Sequence, residues 1–260
     1  MTPAMPLTWA VRTDAGRRRN SNEDSHSTRP DVGLFIVADG MGGHVAGEVA
    51  SRVAVESISS FIQETAGADR NRTWPFPFEP ELSFEANRLK AAFRLANRRI
   101  AAAIADSQDL RGMATTASAM LVGSDHACVA HIGDSRVYVL RESDLRQITD
   151  DHSWVEEQVR AGMLTPAAAR QHPWRNVVTR ALSGAEDPEI DVVQVKPAAG
   201  DRYLLCSDGL FGVVGDDRIA EVLGDRTASL DEICGRLIDA ANEAGGPDNI
   251  TALIIQIDAS

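Results

Sequence analysis

Four aspartates close apolar runs: Asp39 in LFIVADG, Asp134 in VAHIGDS, Asp208 in YLLCSDG, and Asp248 in GGPDNIT just before ALIIQI. A strand end delivers a side chain to one edge of a sheet, so four such carboxylates can meet there. Oxygen donors of this kind suit hard divalent cations, Mg²⁺ and Mn²⁺, which retain several waters. The competing reading is turn chemistry, since Asp-Gly and Asp-Ser after a strand build hairpins with no ligand at all. A two-residue hairpin needs a second strand at once. Asp39-Gly40 and Asp208-Gly209 instead run into helical segments, and only Asp134 is followed by a convincing strand, at 136–140, so hairpins explain one aspartate of the four. Around Asp39, Gly40, Gly42 and Gly43 carry no Cβ, which lets a backbone carbonyl approach an ion. Arg12, Arg17, Arg18 and Arg19 offset only Asp14, a local +3 in a chain of net charge −12, just before Asn22-Glu23-Asp24. Guanidinium is shaped to grip phosphate oxygens with two parallel bonds, and of the four we expect Arg19 to face the site.

The elements that must carry these groups are legible from periodicity. Residues 7–12 and 33–38 read as strands, the second an unbroken apolar run suited to burial on both faces. Residues 47–63 set Ala50, Val53, Ala54, Ile58, Phe61 and Ile62 on one helical face, and 81–105 repeat the pattern with Leu89, Phe93, Ala96, Ile100 and Ile104. Three prolines exclude regular structure from the connector TWPFPFEP between them. Short strand runs at 116–122, 126–132, 136–140 and 145–148 predict an antiparallel meander. Residues 150–187 are polar, hold two short helical pieces and the segments HSWVEE and HPWRNV, and read as an insertion lying over the surface. Strands at 191–195, 202–207 and 250–257 and helices at 216–223 and 229–244 complete the chain. This β-rich order with paired helices predicts an α+β fold of four layers, an αββα sandwich of two antiparallel sheets flanked by helix pairs. With no internal repeat, low-complexity tract or Gly/Ser linker, residues 1–260 read as a single domain.

Composition removes several classes of function. At 43% hydrophobic and 25% charged residues the chain is an ordinary globular protein, and its net charge of −12 repels nucleic acid. No apolar run reaches the ~18–20 residues that span a bilayer. The N-terminus, MTPAMPLTWAVRTD, lacks a basic region followed by an apolar one, so the expected location is the cytoplasm. Cys128, Cys206 and Cys234 are widely spaced in apolar contexts and read as reduced core thiols, neither a zinc site nor a disulfide framework. Neither a Cys-x5-Arg loop nor a Walker lysine is present. The six histidines are scattered, and His44, the only one beside a motif, is expected to be structural.

Eight segments in order, DAGRRRNSNEDS (14–25), VADGMGGHVAGEVAS (37–51), MATTASAML (113–121), HIGDSRVYVLR (131–141), ITDDHSWVEEQVRAGMLT (148–165), NVVTRALSG (176–184), LLCSDGLFGVV (204–214) and GGPDNIT (245–251), cover nearly the whole chain. Together they resemble the bacterial branch of the type-2C (PPM) metal-dependent Ser/Thr protein phosphatases. The resemblance implies a β-sandwich flanked by helix pairs and hydrolysis of phosphoserine and phosphothreonine in proteins by a water activated on two Mn²⁺ or Mg²⁺ ions. Asp39 would bridge the two, with the Gly40 carbonyl on one ion, Asp208 and Asp248 on the other, and Glu23 with Asp24 as the acidic pair that holds the second metal, partly through water. Arg19 matches the arginine that binds the substrate phosphate, Asp134 with Asp208 matches the third-metal site of bacterial members, and 150–187 matches the flap beside the active site. Implied partners are phosphoproteins, a Ser/Thr kinase and its targets, met by a monomer. The chain departs from the family at Met41, where eukaryotic members carry a histidine proposed as general acid, so protonation of the leaving group falls to a metal-bound water or stays open. It departs again at Ala114, where glycine is usual, and at 72–80, an extra connector. Two rivals share the fold: a phosphatase dedicated to one regulator or to a small phosphomonoester, and a silent regulatory module, which predicts the loss of at least one metal carboxylate.

Overall fold

Alternation within the apolar runs sorts the molecule into layers. In the computed structural model, which describes residues 5–43, 45–67, 74–185 and 187–259, β3 (Leu34–Met41) buries Leu34, Ile36 and Ala38 on one face and Phe35 and Val37 on the other. The first set packs against α1 (Ala46–Glu64) and α2 (Phe84–Asp106), and the second enters a core between two sheets. One sheet runs β2 (Asp24–Arg29), β3, β5 (Ala117–Val122), β6 (Ala127–Ile132), β9 (Asp191–Val195), with β4 (Ala114–Thr115) paired to the end of β3. The other runs β1 (Leu7–Asp14), β11 (Ile250–Ile257), β10 (Arg202–Cys206), β7 (Arg136–Arg141), β8 (Asp144–Gln147). Every pairing is antiparallel. On its outer face, Leu204, Cys206, Ala252 and Ile254 pack under α6 (Asp216–Gly224) and α7 (Leu230–Glu243). The layers are therefore helices, sheet, sheet, helices, the αββα order expected, and runs such as ITALIIQI are continuously apolar because both faces of each sheet are covered.

One expectation is corrected, and one strand is added to those read from the sequence. The strands β5 to β8 do not form one meander: β5 pairs with β6 in one sheet and β7 with β8 in the other, and the chain crosses between sheets at Gly133–Asp134–Ser135. Asp134 is thus not the turn of a hairpin. The added strand is β2, whose sequence DSHSTR has no apolar pattern; it is an edge strand held by hydroxyl pairs, Ser25 with Ser51 at 2.9 Å and Ser27 with Ser59 at 3.1 Å.

Within the insertion, α3 (Trp154–Arg160) and α4 (Pro166–Arg170) lie at the surface with Met163, Trp174 and Val177 exposed. Its root is not superficial: Asp151, His152 and Ser153 are buried. The three cysteines are buried and free. Of the connector 72–80, residues 72 and 73 fall outside the described residues, as does His44. Trp74 packs between Phe61 and Phe84, and the Arg98 guanidinium lies 4.2 Å from the centre of the Phe76 ring, so the connector lies against both helices of the pair.

Candidate active site

The polar strand β2 positions the first pair of acids, because its register sets Asp24 directly opposite Asp39 on β3. Like charges opposed across a ladder are unfavourable. Asp24 Oδ2 accepts hydrogen bonds from Ser207 Oγ at 2.7 Å and Thr251 Oγ1 at 2.6 Å, while its Oδ1 is buried with no hydrogen-bond partner among the described residues. Asp208, first residue of the short α5 (Asp208–Phe211), likewise buries Oδ1 unpartnered, beside Asp39. Burial first, then Asp24, Asp208, Asp134 and Asp248 in turn, pushes the Asp39 pKa well above the usual carboxylate range. Burial and acidic neighbours push Asp24, Asp134 and Asp208 the same way. Carboxylates that crowd each other this way cannot all ionise without positive charge among them.

Backbone geometry makes room for the remaining acid. A Cβ on Gly47 would stand 2.0 Å from Glu23 Oε2, so the first turn of α1 tolerates only glycine there if Glu23 is to keep its place. Asn249 ties this region together: Glu23 N donates to its Oδ1 at 2.8 Å, and its Nδ2 donates to Ala15 O and Ser21 O. Burial raises the Glu23 pKa against the opposing pull of Arg19.

Of the four arginines, only Arg19 reaches the cluster, donating from Nη2 to Asp248 Oδ2 at 2.7 Å. Arg12 is drawn away to Asp231 on α7, and the Arg17 amide is bonded to Gly246 O. The structure thus brings together Arg19, Glu23, Asp24, Asp39, Asp134, Asp208 and Asp248. Sequence reasoning missed Ser207, Thr251, Asn249 and Gly47, which hold the acids in place; each stands within a quoted motif, but its partner is remote in the chain. It also missed a second convergence, since the histidines read as scattered include His131 and His152, whose ring nitrogens lie within 4.8 Å of each other and of an Asp191 oxygen.

The carboxylate cluster fits divalent cations: its donors are hard oxygens, two of them buried and unpartnered, and its charges need neutralising. The sequence model of the protein phosphatase 2C family matches residues 13–245. A serine/threonine protein phosphatase PstP of Mycobacterium tuberculosis is 39% identical over 252 residues, 96% of this chain and 45% of that protein, so the chain spans about half the length of that relative. A serine/threonine phosphatase stp of Listeria monocytogenes is 37% identical across 95% of this chain and 94% of its own. Among solved structures, the catalytic domain of PstP in complex with two manganese ions superposes with a TM-score of 0.82 at 37% identity, covering 97% of this chain and 99% of that one.

Proposed function

The chain belongs to the protein phosphatase 2C family, and from that premise we propose that it hydrolyses phosphoserine and phosphothreonine in proteins with Mn²⁺ or Mg²⁺ as cofactor. The observation that carries the reading is the convergence of Asp24, Asp39, Asp134, Asp208 and Asp248 with buried, unpartnered oxygens. Asp39, the Gly40 carbonyl, Asp208, Asp248, Glu23 and Asp24 are the residues that would hold two ions, and Asp134 with Asp208 a third. Such ions, when bound, activate water as a nucleophile and offset the charge of the phosphoryl group.

The chain's own residues do the rest. Arg19 binds and orients the phosphate, as its exposed guanidinium stands at the edge of the acidic cluster. Ser207 and Thr251 hold Asp24 to one orientation, leaving its second oxygen turned to the cluster. Met41 has no proton to give, so it does not serve as general acid for the leaving alkoxide. All three cysteines are buried, and burial pushes Cys206 and Cys234 away from the thiolate form, which argues against a phosphocysteine route. Every acid that a silent regulatory module would be expected to lose is present.

The substrates are phosphoproteins, a Ser/Thr kinase and its targets among them, encountered by a monomer in the cytoplasm. No described helix is long and apolar enough to cross a membrane. The test is hydrolysis of a phosphothreonine peptide with and without chelator: activity should require added Mn²⁺ or Mg²⁺, and full activity in excess EDTA overturns the reading.

A further inference from the structure

One residue grips the Gly133 peptide at both its polar groups. His152 N donates to Gly133 O at 2.9 Å, and Gly133 N donates to His152 Nδ1 at 3.1 Å. Gly133 has φ +103°, and a Cβ there would stand 2.5 Å from Thr116 Cβ, so the crossover is pressed against β5's approach and has one conformation open to it. On the far side of Asp134, Ser135 Oγ meets Thr116 Oγ1 at 2.6 Å and Ser135 O accepts from Ser118 Oγ at 2.6 Å. Asp134 therefore projects from a peptide anchored before and after it. The His152 carbonyl accepts from Thr179 N at 2.8 Å, which joins the start of the 150–187 insertion to its returning segment. Its Nε2 faces Asp191 Oδ2 at 3.1 Å, and its ring stacks on His131 with centroids 4.5 Å apart.

We propose that His152 is a positioning residue for Asp134, tying the root of the flap to the carboxylate through its two bonds to Gly133. The inference rests on the reading of Asp134 as a ligand of the third ion and adds to it the device that fixes the ligand. It also couples the outgoing and returning segments of the flap to that ligand, because the same residue bonds Thr179.

The competing reading is a separate metal site made of His131, His152 and Asp191. The hydrogen bond to Gly133 decides against it. Nδ1 accepts an N–H, so the single proton of the neutral ring sits on Nε2 and points at Asp191. An ion on Nε2 would displace that proton and leave an imidazolate. Burial holds both histidines toward the neutral form, consistent with the clamp.

The experiment is calorimetric titration of Mn²⁺ into wild type, Asp134→Asn, His152→Asn, His152→Gln and His152→Phe. An Asn amide oxygen can stand near the place of Nδ1, whereas Gln and Phe offer no acceptor there. Asp134→Asn should lose the weakest binding event. His152→Gln and His152→Phe should weaken that event about 10–100-fold, the usual effect of removing a group that supports a ligand, and leave the tighter events unchanged. His152→Asn should restore it, and Asp134→Asn with His152→Phe should bind no more weakly than Asp134→Asn alone. If Asp134→Asn binds Mn²⁺ as wild type does, the ligand reading falls and the positioning role with it. If Asp134→Asn weakens binding while His152→Gln and His152→Phe bind normally, the positioning role alone is overturned. Stoichiometric Zn²⁺ binding that disappears in both His152→Phe and Asp191→Asn would put an ion in place of the clamp and also overturn it. Should the His152 variants fail to fold, hydrogen exchange in the wild type decides: the Gly133 amide should be protected, and exchange at the rate of an open loop amide overturns the proposal.

Discussion

Asp24 and Asp39 are Cα partners across the β2–β3 ladder, two acids opposed at the end of a strand pair. Favourable cross-strand pairs contribute a few tenths to 1 kcal/mol, and opposed like charges cost a similar amount, more when buried. The pair stands against folding and for ion binding. Asp39→Asn and Asp208→Asn are therefore expected to lose nearly all phosphopeptide turnover while raising the melting temperature of the chelated protein. Activity with saturating Mn²⁺ and thermal unfolding in EDTA are the two measurements. Turnover at the wild-type kcat in either variant would remove it from the ligand set.

The same cluster sets a pH dependence. Burial, with acidic neighbours, pushes Asp24 up to about 7, Asp134 to about 8 and Asp208 to about 6 from an ordinary 3.8. In the folded chain these groups hold protons that the unfolded chain has already released. Their contribution is full below the unfolded pKa and is lost as pH rises through the folded values. His131, lowered to about 4 by burial, and His152, lowered likewise, act in the opposite sense below the ordinary histidine value of 6.5. Between pH 6.5 and 8 the opposing effect of these histidines, and of His26, which burial lowers likewise, fades and the carboxylates dominate, so chelated protein should melt at lower temperature as pH rises across that window. Stabilisation by Mn²⁺ should grow over the same range, because the ion competes with those protons. A flat melting temperature in EDTA from pH 6.5 to 8 would contradict the clustering of charge.

Arg19 tests how phosphate is held. Its guanidinium spans from solvent to Asp248, whereas Arg17 is fixed through its backbone and Arg18 is exposed. Arg19→Ala should raise KM for a charged phosphopeptide by about tenfold, the worth of one charge-assisted hydrogen bond, with a smaller effect on kcat. Arg17→Ala and Arg18→Ala should matter little. A directed bond survives added salt, and a screened field does not. Equal small effects from all three substitutions, fading with ionic strength, would mean a general basic patch instead.

Much of the fold was legible because burial on both faces leaves unbroken apolar runs for strands and one-sided stripes for α1 and α2. β2 was not, since an edge strand tied by Ser25–Ser51 and Ser27–Ser59 hydroxyl contacts needs no apolar pattern. Glu23 and Asp24 stood out only through the family resemblance, whereas Asp39, Asp134, Asp208 and Asp248 were legible as strand-end residues. What Asp134 does there was not, because Gly-Asp-Ser serves a two-residue hairpin and a crossover between sheets equally well, and only the pairing partners of β6 and β7 distinguish them. The residues that hold the acids were hidden by distance: Thr251 is 227 positions from Asp24, and Asn249 is 226 from Glu23. His131 and His152 meet for the same reason, through a β-sheet and a flap root with no shared local motif.

The last prediction concerns Asp151, which sequence reasoning passed over as part of a polar insertion. Arg136 grips it with Nε at 2.9 Å from Oδ1 and Nη2 at 2.7 Å from Oδ2, and Gln147 donates to Oδ1 at 2.8 Å. The guanidinium carbon lies 3.8 Å from the centre of the Phe211 ring on α5, the helix that starts at Asp208, and Nη1 donates to Tyr138 OH. The pair thus joins the flap root to the element carrying a proposed ligand, with both side chains largely buried. Breaking such a pair from one side leaves a buried charge unmatched and costs about 3–5 kcal/mol. Asp151→Ala should therefore lower the urea midpoint of the chelated protein by an amount corresponding to that range. Arg136→Lys should not be silent, because an ammonium cannot make the two-bond grip or stack on Phe211. Replacing both partners, Arg136→Met with Asp151→Leu, should recover much of the loss, as neither charge then remains to be desolvated. Asp151→Ala within about 1 kcal/mol of wild type, the worth of a surface pair, would show that the flap root is held by its backbone bonds alone.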